Sequence, residues 1–347
     1  MILSRVFLFP YWLVLKLRNA GWDSGRHKAV RHPVPVVSVG NLTVGGTGKT
    51  PMVEYICALL REDRRVAVLS RGYKRRSRGF RFVETTDTAA AVGDEPLQIK
   101  RKFPDVTVAV DKDRNRGIAR LLALPPEQRP EMIFLDDGFQ YRKLQPAVNL
   151  LLVDYNHPVF EEELLPFGRL RDLPEQIRRA DAVVVTKTPR LMDDWEREEM
   201  RRRLHLRADQ PLFFTSIRFN EPQPVFPEDA DKRYIYSQEA FLFSGVADDR
   251  PLRVWLTDHY QHIDHKRYGD HHAFTRLDQR FLRRYARRHP RTVLLTTEKD
   301  AMRLLSSTRL GVDVRTRLFY VPIESNFQSP EEEGSFAKLI CRRENYS

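Results

Sequence analysis

Short runs of uninterrupted Val, Ile and Leu recur along the chain, most of them followed by a stretch with helical periodicity. The first is 35–39 (PVVSV); after it come a glycine-rich turn and a periodic segment from Thr50 to about residue 62. The next are 65–70 (RVAVLS), 106–110 (VTVAV), 132–135 (MIFL), 148–153 (VNLLLV) and 182–186 (AVVVT), with a helical stretch near 117–124. Strands apolar on both sides need cover on both faces, which is the habit of parallel sheets. Their alternation with helices predicts a doubly wound, mostly parallel α/β domain over 31–215. At 213–227 (FFTSIRFNEPQPVFP) the pattern turns extended and proline-bearing, which predicts a linker. A second, smaller α/β/α domain is expected over 216–325, with strands at 240–245 (AFLFSG) and 293–297 (VLLTT). The remaining 326–347 reads as a polar, partly mobile tail.

The opening segment has a different character. Residues 1–19 (MILSRVFLFPYWLVLKLRN) are apolar and aromatic, with Arg5, Lys16 and Arg18 near the ends. Pro10, Tyr11 and Trp12 interrupt the apolar run and no A-x-A pattern follows, which argues against a signal peptide. The run also falls short of the ~20 apolar residues that a membrane span needs. Aromatic residues with basic ends suit an amphipathic helix lying in a membrane interface, within a lead-in of 1–30. A helix buried against the core is the alternative.

The chain has 347 residues, of which 41% are apolar. With a mean hydropathy of −0.51, it is polar overall yet able to fill two cores. Its two cysteines, Cys57 and Cys341, are far apart and show no CxxC spacing. That excludes a disulfide framework or cysteine-ligated zinc and fits a reducing compartment. A net charge of +12 attracts polyanions: nucleic acid, nucleotide phosphates or an anionic membrane leaflet. The basic residues crowd 71–81 (RGYKRRSRGFR) and recur at 101–120.

The main chemical signal is 40–50, GNLTVGGTGKT, between a predicted strand and a predicted helix. Small residues let backbone N–H groups face phosphates, and the helix N-terminus adds a favourable dipole. Thr43, Val44, Gly45, Gly46, Thr47, Gly48, Lys49 and Thr50 are thus the expected ATP-binding loop. Lys49 reaches the β- and γ-phosphates and the Thr50 hydroxyl takes a Mg²⁺ position. Thr43 stands where the P-loop pattern has its first glycine, and Gly45 and Gly46 supply the turn instead. The strand 132–137 (MIFLDD) ends in two carboxylates, as a Walker B element does, so Asp136 and Asp137 join Thr50 and Glu95 as candidate Mg²⁺ ligands. The set predicts a P-loop NTPase-type fold. ATP is favoured over GTP because Thr186-Lys187-Thr188-Pro189 lacks the aspartate of a guanine-reading N-K-x-D.

Further motifs follow in order: SRGYKR (70–75), GDEP (93–96), LDDGFQYR (135–142), LPFGRLRD (165–172), FSGVADD (243–249), DHHAFT (270–275) and TTEKDAMRL (296–304). With GNLTVGGTGKTP (40–51), this set resembles the tetraacyldisaccharide 4′-kinase family, from the N-terminal apolar segment to about Pro322. The resemblance implies two α/β/α domains with ATP in the cleft between them, Mg²⁺, and a peripheral (monotopic) enzyme on the cytoplasmic face of the inner membrane. It implies phosphorylation of an acylated disaccharide phosphate lipid, with Asp94 as catalytic base aided by His271. Arg71, Tyr73, Gln140 and Arg171 fall among its substrate or phosphate contacts. Asp172 joins them, although the family has glutamate there and Leu173 intervenes before Pro174.

By chemistry alone, Asp94 suits a helix N-cap as well as a base. The basic loop suits phosphate binding at the carboxyl edge of a sheet, or anionic headgroups at ~1 kcal/mol each. Arg114 and Arg116 are further candidates of that kind. His262, His265, His271 and His272 lack HExxH spacing and a nearby cysteine, which favours hydrogen-bonded histidines over zinc. Two rivals remain: a P-loop ATPase acting on nucleic acid, which should add stacking aromatics in a basic groove, and a non-catalytic nucleotide-dependent membrane switch. Neither such a groove nor a recognisable nucleic-acid-binding module is evident, so no nucleic acid and no obligate protein partner is expected.

Overall fold

A computed structural model describes residues 2–341, with side chains described from residue 8. The elements run α1 (Ile2–Asp23), β1 (Val36–Asn41), α2 (Lys49–Leu60), β2 (Val66–Ser70), β3 (Arg81–Phe82), α3 (Ala89–Val92), α4 (Asp94–Lys102), β4 (Thr107–Val110), α5 (Arg114–Leu122), β5 (Met132–Asp136), β6 (Val148–Asp154), β7 (Ala182–Thr186), α6 (Asp194–Arg203) and β8 (Leu212–Phe219). The second half holds β9 (Gln223–Pro224), β10 (Glu239–Ser244), α7 (Arg250–Thr257), β11 (His262–Arg267), α8 (Arg276–Arg288), β12 (Val293–Thr297), α9 (Glu298–Leu304), α10 (Val312–Arg315), β13 (Leu318–Val321), β14 (Ile323–Phe327) and α11 (Pro330–Cys341).

The first sheet has the order β14-β8-β7-β6-β1-β5-β2-β4-β3, parallel except for its two edge strands β14 and β3. The continuous apolar runs are buried on both faces. In β6, Leu150 and Leu152 enter one core while Leu151 and Val153 enter another. The order reverses around β1, whose neighbours are β5 and β6, so the loop after β1 opens at the crevice where ligands bind in such sheets. The second sheet, β11-β10-β12-β13-β9, is parallel save for β9. Phe241, Phe243, Leu282 and Leu294 of the second half share a core with Val37, Met52 and Leu97 of the first. The two units are therefore packed together, not strung apart.

Two expectations fail. The first part of the segment expected as a linker, 213–219, lies in β8, an eight-residue strand of the first sheet, because its apolar residues pair with β7. The expected mobile tail is α11 over Pro330–Cys341, held by buried Phe336 and Ile340 against Phe213 and Phe327; residues 342–347 lie outside the described residues. The chain also returns to the first sheet through β14, so the first unit is not continuous in sequence.

Helix α1 buries Leu8 and Leu15 against the face of the first sheet that carries Leu151 and Val183, with Trp12 partly buried beside them. That spacing of four and three residues is one helical stripe. Phe9, Leu13, Val14 and Leu17 point to solvent. Arg18 and Asn19 both donate to the Asp172 carboxylate at 2.7 Å, and Arg142 pairs with Asp23. Among the described residues no helix is long and apolar enough to cross a membrane.

A buried acidic patch lies where the units meet. Gln98 and Lys102 bind the Glu54 carboxylate at 2.7 and 2.8 Å. Glu298 lies beside it, 6% exposed, with Oε2 unpaired. Burial, and then the charge of Glu54, push the Glu298 carboxyl up to about 8. An acid raised in the folded state loses folded stability as pH climbs from its ordinary value towards the raised one, since the unfolded chain ionises first. Between about pH 5 and 8 the melting temperature should therefore fall, and Glu298→Gln should flatten that slope and raise Tm at pH 8 by roughly 2–4 °C. Calorimetry across that range checks it; an unchanged slope would contradict the assignment.

Candidate active site

Strand register gathers the first groups. Val39 of β1 lies opposite Asp136 of β5, and Leu69 of β2 lies opposite Leu135. Asp136 therefore ends beside the loop that leaves β1. That loop turns through Gly45 (φ 106°) and Gly48 (φ 78°), left-handed conformations that glycine adopts without strain, and Lys49 opens α2. Gly40 is required for a second reason, because an added Cβ would stand 2.6 Å from Phe139. Asn41 Nδ2 donates to Thr47 Oγ1 at 2.7 Å, and Thr186 Oγ1 donates to the Thr47 carbonyl at 3.1 Å. The Lys49 ammonium lies 3.4 Å from Asn41 Oδ1 and 3.8 Å from Asp137 Oδ1.

Arg171 grips Asp137 with a bidentate pair at 3.0 and 2.9 Å and also bonds Asn41, while Gln140 donates to the Asn41 carbonyl. The segment bearing Arg171 is strapped to the loop by two backbone bonds, Val44 to Arg169 and Arg171 to Leu42, at 2.8 Å each. Burial alone would raise Asp137, but Lys49, Arg171 and Arg114 outweigh it and hold the carboxylate below the usual range. Asp136 is the opposite case. It is fully buried, and burial, then the charges of Glu95 and Asp137, push it up to about 7.

Asp94 heads α4 directly after Gly93. An added Cβ on Gly93 would stand 3.3 Å from the Cα of Gly72, and one on Gly72 would stand 2.8 Å from the Val92 carbonyl. The two glycines let the basic loop and the start of α4 touch. Across the cleft, His271 Nδ1 lies 3.2 Å from Asp94 Oδ2, and Tyr73 meets the His271 ring edge-on at 5.2 Å. Arg303 of α9 donates to the same oxygen through Nε at 2.9 Å, and Lys299 pairs with Glu95. Burial favours the neutral acid, but the His271 hydrogen bond and the charges of Arg303 and Lys299 prevail, so Asp94 stays ionised.

Three expected contacts are placed differently or only in part. Asp172 is fully buried and serves α1, bonding Arg18, Asn19 and its own neighbour Leu173. Arg114 is 4% exposed, stacked on Tyr141, and turned towards the Lys112 and Asp137 carbonyls. It braces Asp137 from behind. Thr43 is buried, bridging Leu170. Arg71 and Tyr73 are exposed near the cleft. His265 and His272 pair with Asp249 and Asp278, both at 2.9 Å.

No metal cage is preformed: among the described residues no three His, Cys, Asp or Glu side chains gather into one. Arg171 draws Asp137 aside and Lys299 draws Glu95. Yet Thr50 Oγ1 and Asp136 Oδ1 are buried without a hydrogen-bond partner. Orphaned oxygens from a hydroxyl and a carboxylate, beside a phosphate loop, are the donor set a Mg²⁺ ion uses.

A family model described as Tetraacyldisaccharide-1-P 4′-kinase matches residues 1–342. The chain belongs to that family. Its relatives include the tetraacyldisaccharide 4′-kinase of Parabacteroides distasonis, 40% identical over 97% of this chain and 92% of the relative. The kinase of the same name from Flavobacterium johnsoniae is 36% identical over 99% of both chains. The crystal structure of LpxK from Aquifex aeolicus, in complex with ATP, is 31% identical, covers 97% of this chain and 98% of its own, and superposes with a TM-score of 0.74. The rivals acting on nucleic acid or as a mere switch fall away, since the match spans the whole kinase and not its nucleotide loop alone.

Lys299 and Arg303 had no role in the sequence reading. Both lay within TTEKDAMRL, four residues apart after a β-strand, which is the one local hint that they share a helix face.

Proposed function

We propose that the kinase transfers the γ-phosphate of ATP to the 4′-hydroxyl of a tetraacyldisaccharide 1-phosphate at a membrane surface. The reading rests on one juxtaposition: Lys49, Asp136 and Asp137 of the phosphate loop side share a charged cleft with Asp94, Glu95 and Lys299. Phosphoryl transfer needs positioning and charge neutralisation more than covalent chemistry. The loop 43–50 binds the phosphates, Lys49 neutralises developing charge, and Arg171 and Gln140 tie Asp137 and the loop into one unit. Thr50 and Asp136, with Glu95 or Asp137, would hold Mg²⁺, which supplies charge neutralisation on the phosphates. Asp94, held ionised, accepts the hydrogen bond of the acceptor hydroxyl and then its proton. Tyr73 and Arg71 line the acceptor side.

An acceptor with four acyl chains stays in a bilayer. The solvent-facing Phe9, Leu13, Val14 and Leu17 of α1, with Lys16 and Arg18, form the apolar and basic surface that an interfacial helix presents. Incubation with γ-labelled ATP and the monophosphorylated acceptor should yield a bisphosphorylated lipid carrying the label. With acceptor in vesicles, Leu13→Gln/Val14→Gln/Leu17→Gln should slow turnover, while detergent-dispersed acceptor is phosphorylated normally. Label confined to inorganic phosphate would refute the activity, and equal losses in both presentations would refute the membrane contact.

A further inference from the structure

Helix α9 reaches from the second unit to the first turn of α4, and it does so with two cations. Lys299 and Arg303 are four residues apart, hence on one face of the helix. Lys299 takes Glu95 and Arg303 takes Asp94, so consecutive carboxylates of one unit are clamped by successive turns of the other. Arg303 is fixed at home as well. Its Nη1 donates to the Gly245 carbonyl at 2.9 Å and to Asp300 Oδ1 at 2.7 Å, and Asp300 in turn accepts the Gly245 N–H at 2.8 Å. The guanidinium is therefore a rigid strut, and its side chain is only 9% exposed.

The strut acts on one oxygen. Asp94 Oδ2 receives Arg303 and His271, both from the second unit, while Oδ1 accepts the Glu95 N–H at 3.0 Å from its own helix. Every partner that turns the carboxylate about its χ angles, apart from that one N–H, comes from across the cleft. With the units parted, Asp94 keeps its place but loses its orientation. The apolar core shared by both units already supplies cohesion. Cross-interface charge pairs add register more than net binding.

We propose that Lys299 and Arg303 are positioning residues that form a closure latch, aiming the Asp94 carboxylate at the acceptor hydroxyl only when the two units are closed. The proposal rests on the reading of Asp94 as the base. Misplacing a reacting group by about 1 Å costs on the order of 10²-fold in rate.

The test is a double-mutant cycle joined to a distance measurement. Arg303→Met should lower kcat by roughly 30- to 100-fold with KM for ATP changed less than about threefold. In an Asp94→Asn background the same substitution should change kcat less than about threefold, because the group it aims is gone. Arg303→Lys, which keeps charge without the fork, should recover only part of the loss. An equal loss in both backgrounds overturns the latch. Full turnover by Asp94→Asn alone overturns the base reading instead. The closure arm is independent of turnover. Spin labels at Arg120 on α5 and Arg288 on α8, in a Cys341→Ser protein without nucleotide, should show one narrow distance. Lys299→Met/Arg303→Met should broaden and lengthen it, and an unchanged distribution overturns the latch whatever the kinetics show.

Discussion

Asp94→Asn is expected to lower kcat by about 10²- to 10⁴-fold while leaving ATP affinity within a few-fold. Asparagine keeps one oxygen, which can accept from Arg303, while its amide nitrogen would face the Glu95 N–H. A single bond within the first turn of α4 is lost, and the rest of that turn has the means to hold. What disappears is an acceptor for the hydroxyl proton. The wild-type carboxylate is ionised in spite of being 6% exposed, because His271 and Arg303 outweigh burial. Titration calorimetry with a non-hydrolysable ATP analogue, beside steady-state kinetics, separates the two effects. Loss of nucleotide binding along with turnover would mean that Asp94 serves the fold and not the transfer.

Lys49→Ala is the second large effect, and it should fall on both constants. The ammonium lies 3.8 Å from Asp137 and 3.4 Å from Asn41. Its removal takes away the charge that meets the β- and γ-phosphates, so kcat/KM for ATP should drop about 10²- to 10³-fold. The carboxylates feel it too. Without Lys49, Asp137 depends on Arg171 and Arg114 alone to remain ionised, and Asp136 is pushed further up. The loss should therefore deepen towards low pH, and a pH series of kcat/KM reads this directly. A variant that binds ATP normally would show that the loop backbone, without its lysine, carries the phosphates.

β1, β2, β4, β5, β6 and β7 of the first sheet and β10 and β12 of the second were legible because each is a run of buried apolar residues, which needs no knowledge of its neighbours. β11 (HIDHKR), by contrast, is polar and largely exposed and gives no such signal. The loop expected to hold phosphates was legible for a similar reason: Gly45, Gly48, Lys49 and Thr50 set its turn and the start of α2 over a few residues. Asp136 and Asp137 could be read from a strand that ends in acids. The β8 strand was missed since Pro222, Pro224 and Pro227 just beyond it made the stretch look like a linker. Helix α11 was missed because its three glutamates and its lysine hid the two residues, Phe336 and Ile340, that dock it.

From its own letters the chain determined where its most apolar strands run, where the phosphate-loop pattern lies, and which family it joins, all being properties of neighbouring residues or of motif order. Only the tertiary structure decided which charge meets which. Asp172 was given to α1 through Asn19, 153 residues away, and Asp94 to Arg303, 209 residues away. A carboxylate carries the same local signal whether it anchors a helix, holds a metal or takes a proton. Its partner is chosen by the packing of distant elements, and so the role is written in the fold.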